Sequence, residues 1–137
     1  MEVVFITKGY LRIEATNEHQ QPVSNALIQI YHTDMSPENC IVTARTDESG
    51  RFGDVQLEAP DISYSQIQST QRPYAQYHVA VTADGYDIEE RRNVQVFPEV
   101  GSTLYVQMQT SVDGFQRRNV IIFEDHKLFK EEVSKDA

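Results

Sequence analysis

The side chains best suited to metal or nucleophilic chemistry are four histidines and one cysteine. No two of His19, His32, His78 and His126 are separated by a single residue. Same-face positions of a strand lie two residues apart, so no strand can aim two of these histidines at one metal. Cys40 has no second cysteine with which to form a disulfide or a cysteine-rich zinc site. We therefore predict no catalytic residue, no metal site and no cofactor.

Acidic residues in turns are the remaining source of metal ligands. Five of them could supply oxygen atoms to calcium if their loops converged, namely Asp34, Glu38, Asp47, Glu48 and Asp54. Asp and Glu at such positions more commonly stabilise turns or face solvent, which is the interpretation we favour. The sequence contains no G-x-S-x-G motif and no glycine-rich phosphate loop.

Charge and composition exclude several classes of protein. The chain has 137 residues, of which 21 are acidic and 12 are Lys or Arg, for a formal net charge of −9. Phosphate backbones and anionic lipids repel such a chain, so we predict neither nucleic-acid nor membrane binding. The N-terminus lacks the pattern of a signal peptide, and no apolar stretch reaches the ~20 residues that a transmembrane helix needs. We therefore expect one cytoplasmic domain with its own core.

Hydrophobic residues alternate with polar ones along most of the chain. Leu11, Ile13 and Ala15, for example, alternate with charged or hydroxylated residues. Period-two alternation is typical of antiparallel strands with one buried face. Turn residues such as Gly50, which we place in a hairpin, separate the runs. Seven strands are predicted, near 3–15, 25–32, 40–46, 52–57, 74–82, 92–97 and 103–109.

The same alternation predicts which side chains form the core of a β-sandwich. The predicted core consists of Leu11, Ile13, Ala26, Ile28, Ile30, Phe52, Tyr77, Val79, Val81, Val94, Val96, Val106 and Met108.

One connection, residues 58–73, is longer than most loops of compact domains. Loops of this length at the end of a sandwich are common binding sites, and aromatic rings suit sugars. The candidate ligand-binding residues in and beside it are Tyr64, Arg72 and Tyr74.

Four motifs occur in the order found in a known family. They read GYLRI from 9 to 13, PVSNALIQI from 22 to 30, TDESGRF from 46 to 52 and YHVAVTADGY from 77 to 86. Together they resemble the carboxypeptidase regulatory-like domains, which share the transthyretin-like (prealbumin-like) sandwich. The segments around 59–60, 72–77 and 94–97 are most similar to modules attached to spore cortex-lytic enzyme proteins of Gram-positive spore formers. The resemblance implies a seven-stranded antiparallel Greek-key β-sandwich.

Enzymatic relatives of this fold match poorly. Intradiol dioxygenases hold iron with two tyrosines and a His-x-His pair, and this pair is missing. Hydroxyisourate hydrolases end in Tyr-Arg-Gly-Ser, whereas this chain ends at 133–137 in Val-Ser-Lys-Asp-Ala. In adhesin stalk domains that form an isopeptide bond, the lysine position corresponds to Glu14 and the glutamate position to Val79. The resemblance therefore does not imply an enzyme.

The C-terminal part lies beyond the family pattern, so we divide the chain into a sandwich, 1–110, and an extension, 111–137. The extension contains RRNVIIF from 117 to 123, which repeats five of the seven residues of RRNVQVF from 91 to 97. Its β-branched run predicts an additional strand over 119–123, either on the chain's own sandwich or on a neighbouring chain.

These observations favour a non-catalytic module with a structural or protein-interaction role, in a spore or cell-envelope setting by resemblance. A protein partner or the chain's own oligomer is the expected partner. Two alternatives stay open: a small-ligand or carbohydrate-binding module using the 58–73 loop, and a metal-dependent enzyme of the dioxygenase or hydrolase kind.

Overall fold

The computed structural model describes residues 6–60 and 74–124, and the regular secondary structure of this part is nearly all β-strand. A short 3₁₀ turn, Pro37–Asn39, precedes the third strand. No helix of the described ranges is long and apolar enough to span a membrane. The strands are β1 (Ile6–Thr16), β2 (Leu27–His32), β3 (Cys40–Arg45), β4 (Arg51–Pro60), β5 (Ala75–Thr82), β6 (Ile88–Val96), β7 (Gly101–Gln107) and β8 (Arg118–Ile122).

Two sheets form a sandwich, as predicted. One sheet has the strand order β4-β1-β7 and the other has the order β3-β2-β5-β6-β8. The described residues form eight strands, the seven predicted for the sandwich and β8, which corresponds to the additional strand predicted over 119–123 and pairs with β6. Two pairings, β1 with β7 and β6 with β8, are parallel, so the sandwich is not purely antiparallel. Both parallel pairs form between strands whose connection passes through the opposite sheet, which supplies the crossover that parallel strands require.

The core lies between the two sheets and confirms most of the predicted residues. The exception is Phe52, which is only partly buried and packs against the margin of the core. It lies on β4, which is an edge strand because it pairs only with β1 among the described strands. The predicted core also lacks five members of the core cluster, Ala15, Val23, Leu57, Ala59 and Leu104, although Ala15 lies on the alternating apolar face of β1.

The turn at Asp47–Gly50 differs from the predicted hairpin. It joins β3 to β4, which belong to different sheets. Gly50 has a φ of 75°, and a Cβ atom there would lie 2.5 Å from the carbonyl oxygen of Ala15. Glycine is thus needed both for the backbone conformation and for the close approach to β1. The side chain of Asp47 accepts hydrogen bonds from the backbone N–H groups of Ser49 and Arg51, which closes the turn.

The connection predicted over 58–73 begins later than predicted. Strand β4 continues to Pro60, and Glu58, Ala59 and Pro60 pair with Lys8, Thr7 and Ile6 of β1. Residues 58–60 therefore belong to the three-stranded sheet, and the rest of the predicted loop, 61–73, lies outside the described residues.

A tyrosine on β5 connects the two sheets. The hydroxyl of Tyr77 donates a hydrogen bond of 2.6 Å to the carbonyl oxygen of Glu58 on β4. Burial, with a smaller contribution from the charge of Glu58, raises the pKa of Tyr77 to about 12.

The raised pKa of Tyr77 predicts a specific alkaline loss of stability. The folded state favours the neutral phenol of Tyr77. Tyr77 therefore contributes fully to the free energy of unfolding below the ordinary pKa of about 10, and this contribution is lost as the pH rises towards 12. Chemical denaturation across this interval should show the loss in the natural protein and a smaller loss in Tyr77→Phe. The exposed Tyr105 provides the control. If Tyr105→Phe reduces the alkaline loss as much as Tyr77→Phe, the assignment to Tyr77 is wrong.

Candidate functional site

Three acidic residues on or beside β6 are almost completely buried. Asp87, Glu89 and Glu90 are 4, 2 and 1% exposed. A buried carboxylate is costly unless hydrogen bonds and opposite charges compensate it. The partners of these three residues therefore determine what this part of the sheet can do.

On the inner face of the sheet, Glu89 forms an ion pair with Arg91 of the same strand. Arg91 Nη1 lies 3.0 Å from Glu89 Oε1, and the two side chains are 6 and 3% exposed. These residues lie opposite Val79 and Val81 of β5, which places them on the face that carries the core. The second carboxylate oxygen of Glu89 accepts a hydrogen bond of 2.8 Å from Asn119 Nδ2 of β8.

On the outer face, Glu90 is held by two arginines. Its Oε1 lies 3.0 Å from Arg92 Nη2, and its Oε2 is bonded to Arg118 Nη1 of β8. Both carboxylate oxygens are therefore compensated by positive charge. Because both arginine side chains remain partly exposed, 43% for Arg92 and 61% for Arg118, this pair of contacts forms a bridge from the buried acid to the surface.

Asp87 adds a third connection between the two strands. It accepts hydrogen bonds from the backbone N–H of Arg117, at 3.0 Å, and from Asn119 Nδ2, at 3.3 Å. We call the residues Asp87, Glu89, Glu90, Arg91, Arg92, Arg118 and Asn119 the carboxylate–arginine cluster. This cluster fastens β8 to β6 through side chains in addition to the backbone ladder.

Sequence reasoning found β8 but not the cluster. The repeated Arg-Arg-Asn was the available signal, but the two copies do not lie side by side, because Arg118 pairs with Ile88 rather than with Arg92. This register brings Arg118 within reach of Glu90. The Asp-Ile-Glu-Glu run that begins at Asp87 has three acidic residues in four positions, which gives no local signal of burial, yet all three are buried beside β8.

The opposite side of β8 has no neighbouring strand in the described part of the sheet. Val120, Ile121 and Ile122 are 43, 47 and 62% exposed. The backbone N–H of Phe123 bonds to Arg92 O, and Arg117 O accepts from the N–H of Ile88. Odd-numbered residues thus direct their backbone groups towards β6, and the alternation of a strand directs those of the even-numbered residues outwards. We call this outward side of Arg118–Ile122 the β8 edge.

The other edge strands expose fewer large apolar residues among those described. Ile41 is the exposed large apolar residue of β3, and Tyr105 is that of β7. The exposed positions of β4 include Arg51, Asp54 and Glu58, and charges of this kind discourage pairing with another chain. The β8 edge therefore differs from the others in exposing three consecutive apolar side chains.

The ligand-binding residues predicted from the sequence are not assembled by the described residues. Tyr64 and Arg72 lie outside them. Tyr74 is 3% exposed, and its ring packs against that of Phe97 with 5.1 Å between the centroids. Its aromatic face therefore contributes to packing and is not displayed on the surface, and a ligand-binding role for these residues stays a prediction.

His78 and Asp34 are both engaged by local hydrogen-bond partners. His78 Nδ1 accepts a hydrogen bond from the backbone N–H of Asn93, and Nε2 therefore donates to the carbonyl oxygen of Thr33 at 2.6 Å. Asp34 accepts hydrogen bonds from Ser36 and Asn39, and these bonds lower its pKa to about 2. In the ranges that the structure describes, no three His, Cys, Asp or Glu residues are arranged to hold a metal ion.

A depression of about 840 Å³ lies at one end of the five-stranded sheet. Its lining includes Arg45, Asp84, Tyr86 and Gln116. Arg45 already donates to the carbonyl oxygen of Asn25, and Gln116 donates to that of Tyr86. These bonds occupy part of the polar groups that would otherwise be available to a ligand.

No protein-family model matches this sequence, and no curated protein is significantly similar to it. Solved structures show similarity of fold. The 3-chlorocatechol 1,2-dioxygenase of Rhodococcus opacus 1CP matches with a TM-score of 0.53 and 13% identity, over 81% of this chain and 63% of that enzyme. The catechol 1,2-dioxygenase of Acinetobacter radioresistens matches with a TM-score of 0.50 and 14% identity, over 82% of this chain and 58% of that enzyme.

A third structure, the mercury-inhibited catechol 1,2-dioxygenase of Acinetobacter sp. ADP1, matches with a TM-score of 0.50 and 13% identity. It is covered over 59% of its length, and 88% of this chain is aligned. The chain thus spans about three fifths of the length of these enzymes. At such identities the comparison supports a shared sandwich architecture and leaves activity to be argued from the residues.

Proposed function

We propose that this chain is a non-catalytic β-sandwich module that binds a protein partner through the β8 edge. The observation that carries the proposal is the exposure of Val120, Ile121 and Ile122 on a strand that has a neighbour on one side only among the described strands. Unpaired backbone groups at a sheet edge accept an added strand, and apolar side chains beside them supply the burial that stabilises the pairing.

The carboxylate–arginine cluster supports this proposal because it holds β8 in position before any partner arrives. Glu89 and Asp87 bind Asn119, and Glu90 binds Arg118. These side-chain contacts hold β8 against β6. A pre-ordered edge loses less conformational freedom on binding than a flexible segment does. The buried charges therefore serve to present the β8 edge.

The enzymatic alternative has less support from the residues. Dioxygenases match this chain in fold, but a fold accommodates many functions. Both ring nitrogens of His78 are engaged by backbone groups, and Tyr74 is packed against Phe97. These two candidate ligands are thus engaged in structural contacts.

Site-specific photo-crosslinking in the native cell tests the proposal. A photoreactive amino acid would replace Ile122 on β8 or, as the matched control, Ile41 on the opposite edge of the same sheet, since both residues are largely exposed. We expect a discrete adduct at 122 whose partner peptide mass spectrometry assigns to one protein segment. The proposal is wrong if position 122 gives no protein adduct, or if both positions give the same adducts.

A further inference from the structure

We propose that the partner at the β8 edge is a second copy of this chain, joined by antiparallel pairing of the two β8 strands about Ile121. This inference rests on the proposed function and specifies the partner. The structure carries it through three features of β8, namely the direction of its backbone groups, the order of its charges and the match of its apolar side chains.

The backbone directions restrict the register. In an antiparallel pair, residues whose N–H and C=O groups point at the partner must lie opposite residues of the same kind. On the β8 edge these are the even-numbered residues Arg118, Val120 and Ile122, because Arg117 and Phe123 bond to β6. A second β8 must therefore place even-numbered residues opposite even-numbered ones. The registers with the greatest overlap are centred on 120, 121 or 122.

The charges then distinguish the three registers. The segment 117–125 begins with two arginines, continues through Asn and four apolar residues, and ends with Glu and Asp. Centring on 121 brings Arg118 next to Glu124 of the second copy, twice by symmetry. Glu124 lies just beyond β8 and is held beside β6 by a hydrogen bond of 2.7 Å from Gln95 Nε2 to its carbonyl oxygen. Centring on 120 places Arg118 opposite Ile122, and centring on 122 places Glu124 opposite Val120. Opposite charges directly across a strand pair stabilise it, so the register about Ile121 is favoured.

The apolar side chains match in the same register. Val120 of each copy lies opposite Ile122 of the other, and the two Ile121 residues lie opposite each other on the twofold axis. These three residues are 43, 62 and 47% exposed in the single chain, so pairing removes apolar surface from water. The contact is the same on both copies and closes on itself, as a twofold dimer requires.

Arg118 can serve both copies. Its Nη1 is bonded to Glu90 of its own chain, while its side chain is 61% exposed. A guanidinium carries five N–H donors in a planar arrangement, so it can also bind a carboxylate approaching from solvent. The bond to the buried Glu90 holds Arg118 on the face where Glu124 of the second copy would lie.

Cysteine crosslinking in the full chain tests the partner and the register together. In a Cys40→Ala background, Ile121→Cys should form an interchain disulfide on mild oxidation. The two Cα atoms would lie about 4.5 Å apart at a pair without hydrogen bonds, within the range of a disulfide. Val120→Cys is the matched control, because its two copies would be diagonal and beyond about 7 Å. Efficient linking through 120 instead of 121 would overturn the register.

A charge reversal provides a test that needs no cysteine. Sedimentation analysis of the natural chain should give a dimer that dissociates on dilution. Glu124→Arg places arginine opposite Arg118 at both ends of the contact and should weaken the dimer about tenfold. Glu48→Arg, which makes the same change of charge in the exposed Asp47–Gly50 turn, should leave it unchanged. Equal effects of the two variants would show that net charge and not strand pairing governs association.

The outcomes separate this inference from the proposed function. A natural chain that stays monomeric at high concentration, together with a photo-adduct at 122 to a different protein, overturns self-pairing and leaves the interaction role standing. A monomeric chain with no adduct at 122 contradicts both. A dimer that Glu124→Arg weakens, with linking through position 121, supports both.

Discussion

Replacing Glu89 with alanine is expected to lower the free energy of unfolding by about 3–5 kcal/mol, because it leaves Arg91 buried without its counter-charge. Arg91 is 5% exposed and lies on the core-facing side of β6, where water cannot readily replace the lost carboxylate. The change also removes the acceptor of the hydrogen bond from Asn119, so it loosens β8 as well. Urea denaturation of both proteins measures the difference.

Two controls make the Glu89 result specific. Glu58→Ala removes an exposed carboxylate from β4 and should change stability by less than about 0.5 kcal/mol. Replacing Glu89 and Arg91 together with Met and Leu removes both charges, and apolar substitutes of similar volume commonly cost little in such pairs. A small effect of Glu89→Ala alone, equal to that of Glu58→Ala, would mean that solvent reaches Arg91 and that the pair is not structurally important.

Ile28→Ala is expected to destabilise the protein by about 2–4 kcal/mol through loss of apolar burial and creation of a cavity. Ile28 is fully buried and pairs with Ala44 on one side and Val81 on the other, so the neighbouring side chains cannot easily fill the space. Ile41→Ala is the matched control, since Ile41 is 51% exposed on the adjacent strand. Equal denaturation midpoints for the two variants would show that the buried face of the sheet is assigned incorrectly.

Alternating hydrophobicity was sufficient to predict the sandwich because it depends only on the two-residue period of a strand and on a single buried face. Ile28, Val79 and Val96 are buried as expected. Phe52 is less buried than expected because its strand lies at an edge of the sheet. The alternation within a single strand does not predict the order of the strands in a sheet. The extent of β4 was missed for a similar reason, since its last residues are ordered by pairing with β1.

The candidate site was less predictable than the fold. Residue type and the length of the nearby loop predict Tyr64, Arg72 and Tyr74 as ligand-binding residues. The packing of Tyr74 on Phe97 does not follow from either property. The strand predicted at 119–123 is present as Arg118–Ile122, but the sequence left open whether it joins its own sandwich. The structure shows that it pairs with β6 of the same chain.

The sequence by itself thus determined the all-β class, the membership of most of the core and the existence of β8, because these follow from local periodicity and β-branched composition. The tertiary structure decided which strands are neighbours and in which register. Placing Arg118 opposite Ile88 brings it to Glu90 and surrounds three buried carboxylates with hydrogen-bond donors, while the other side of β8 has no neighbouring strand among the described residues. The contacts between β6 and β8 join residues about thirty positions apart, and no local pattern in the sequence encodes such contacts.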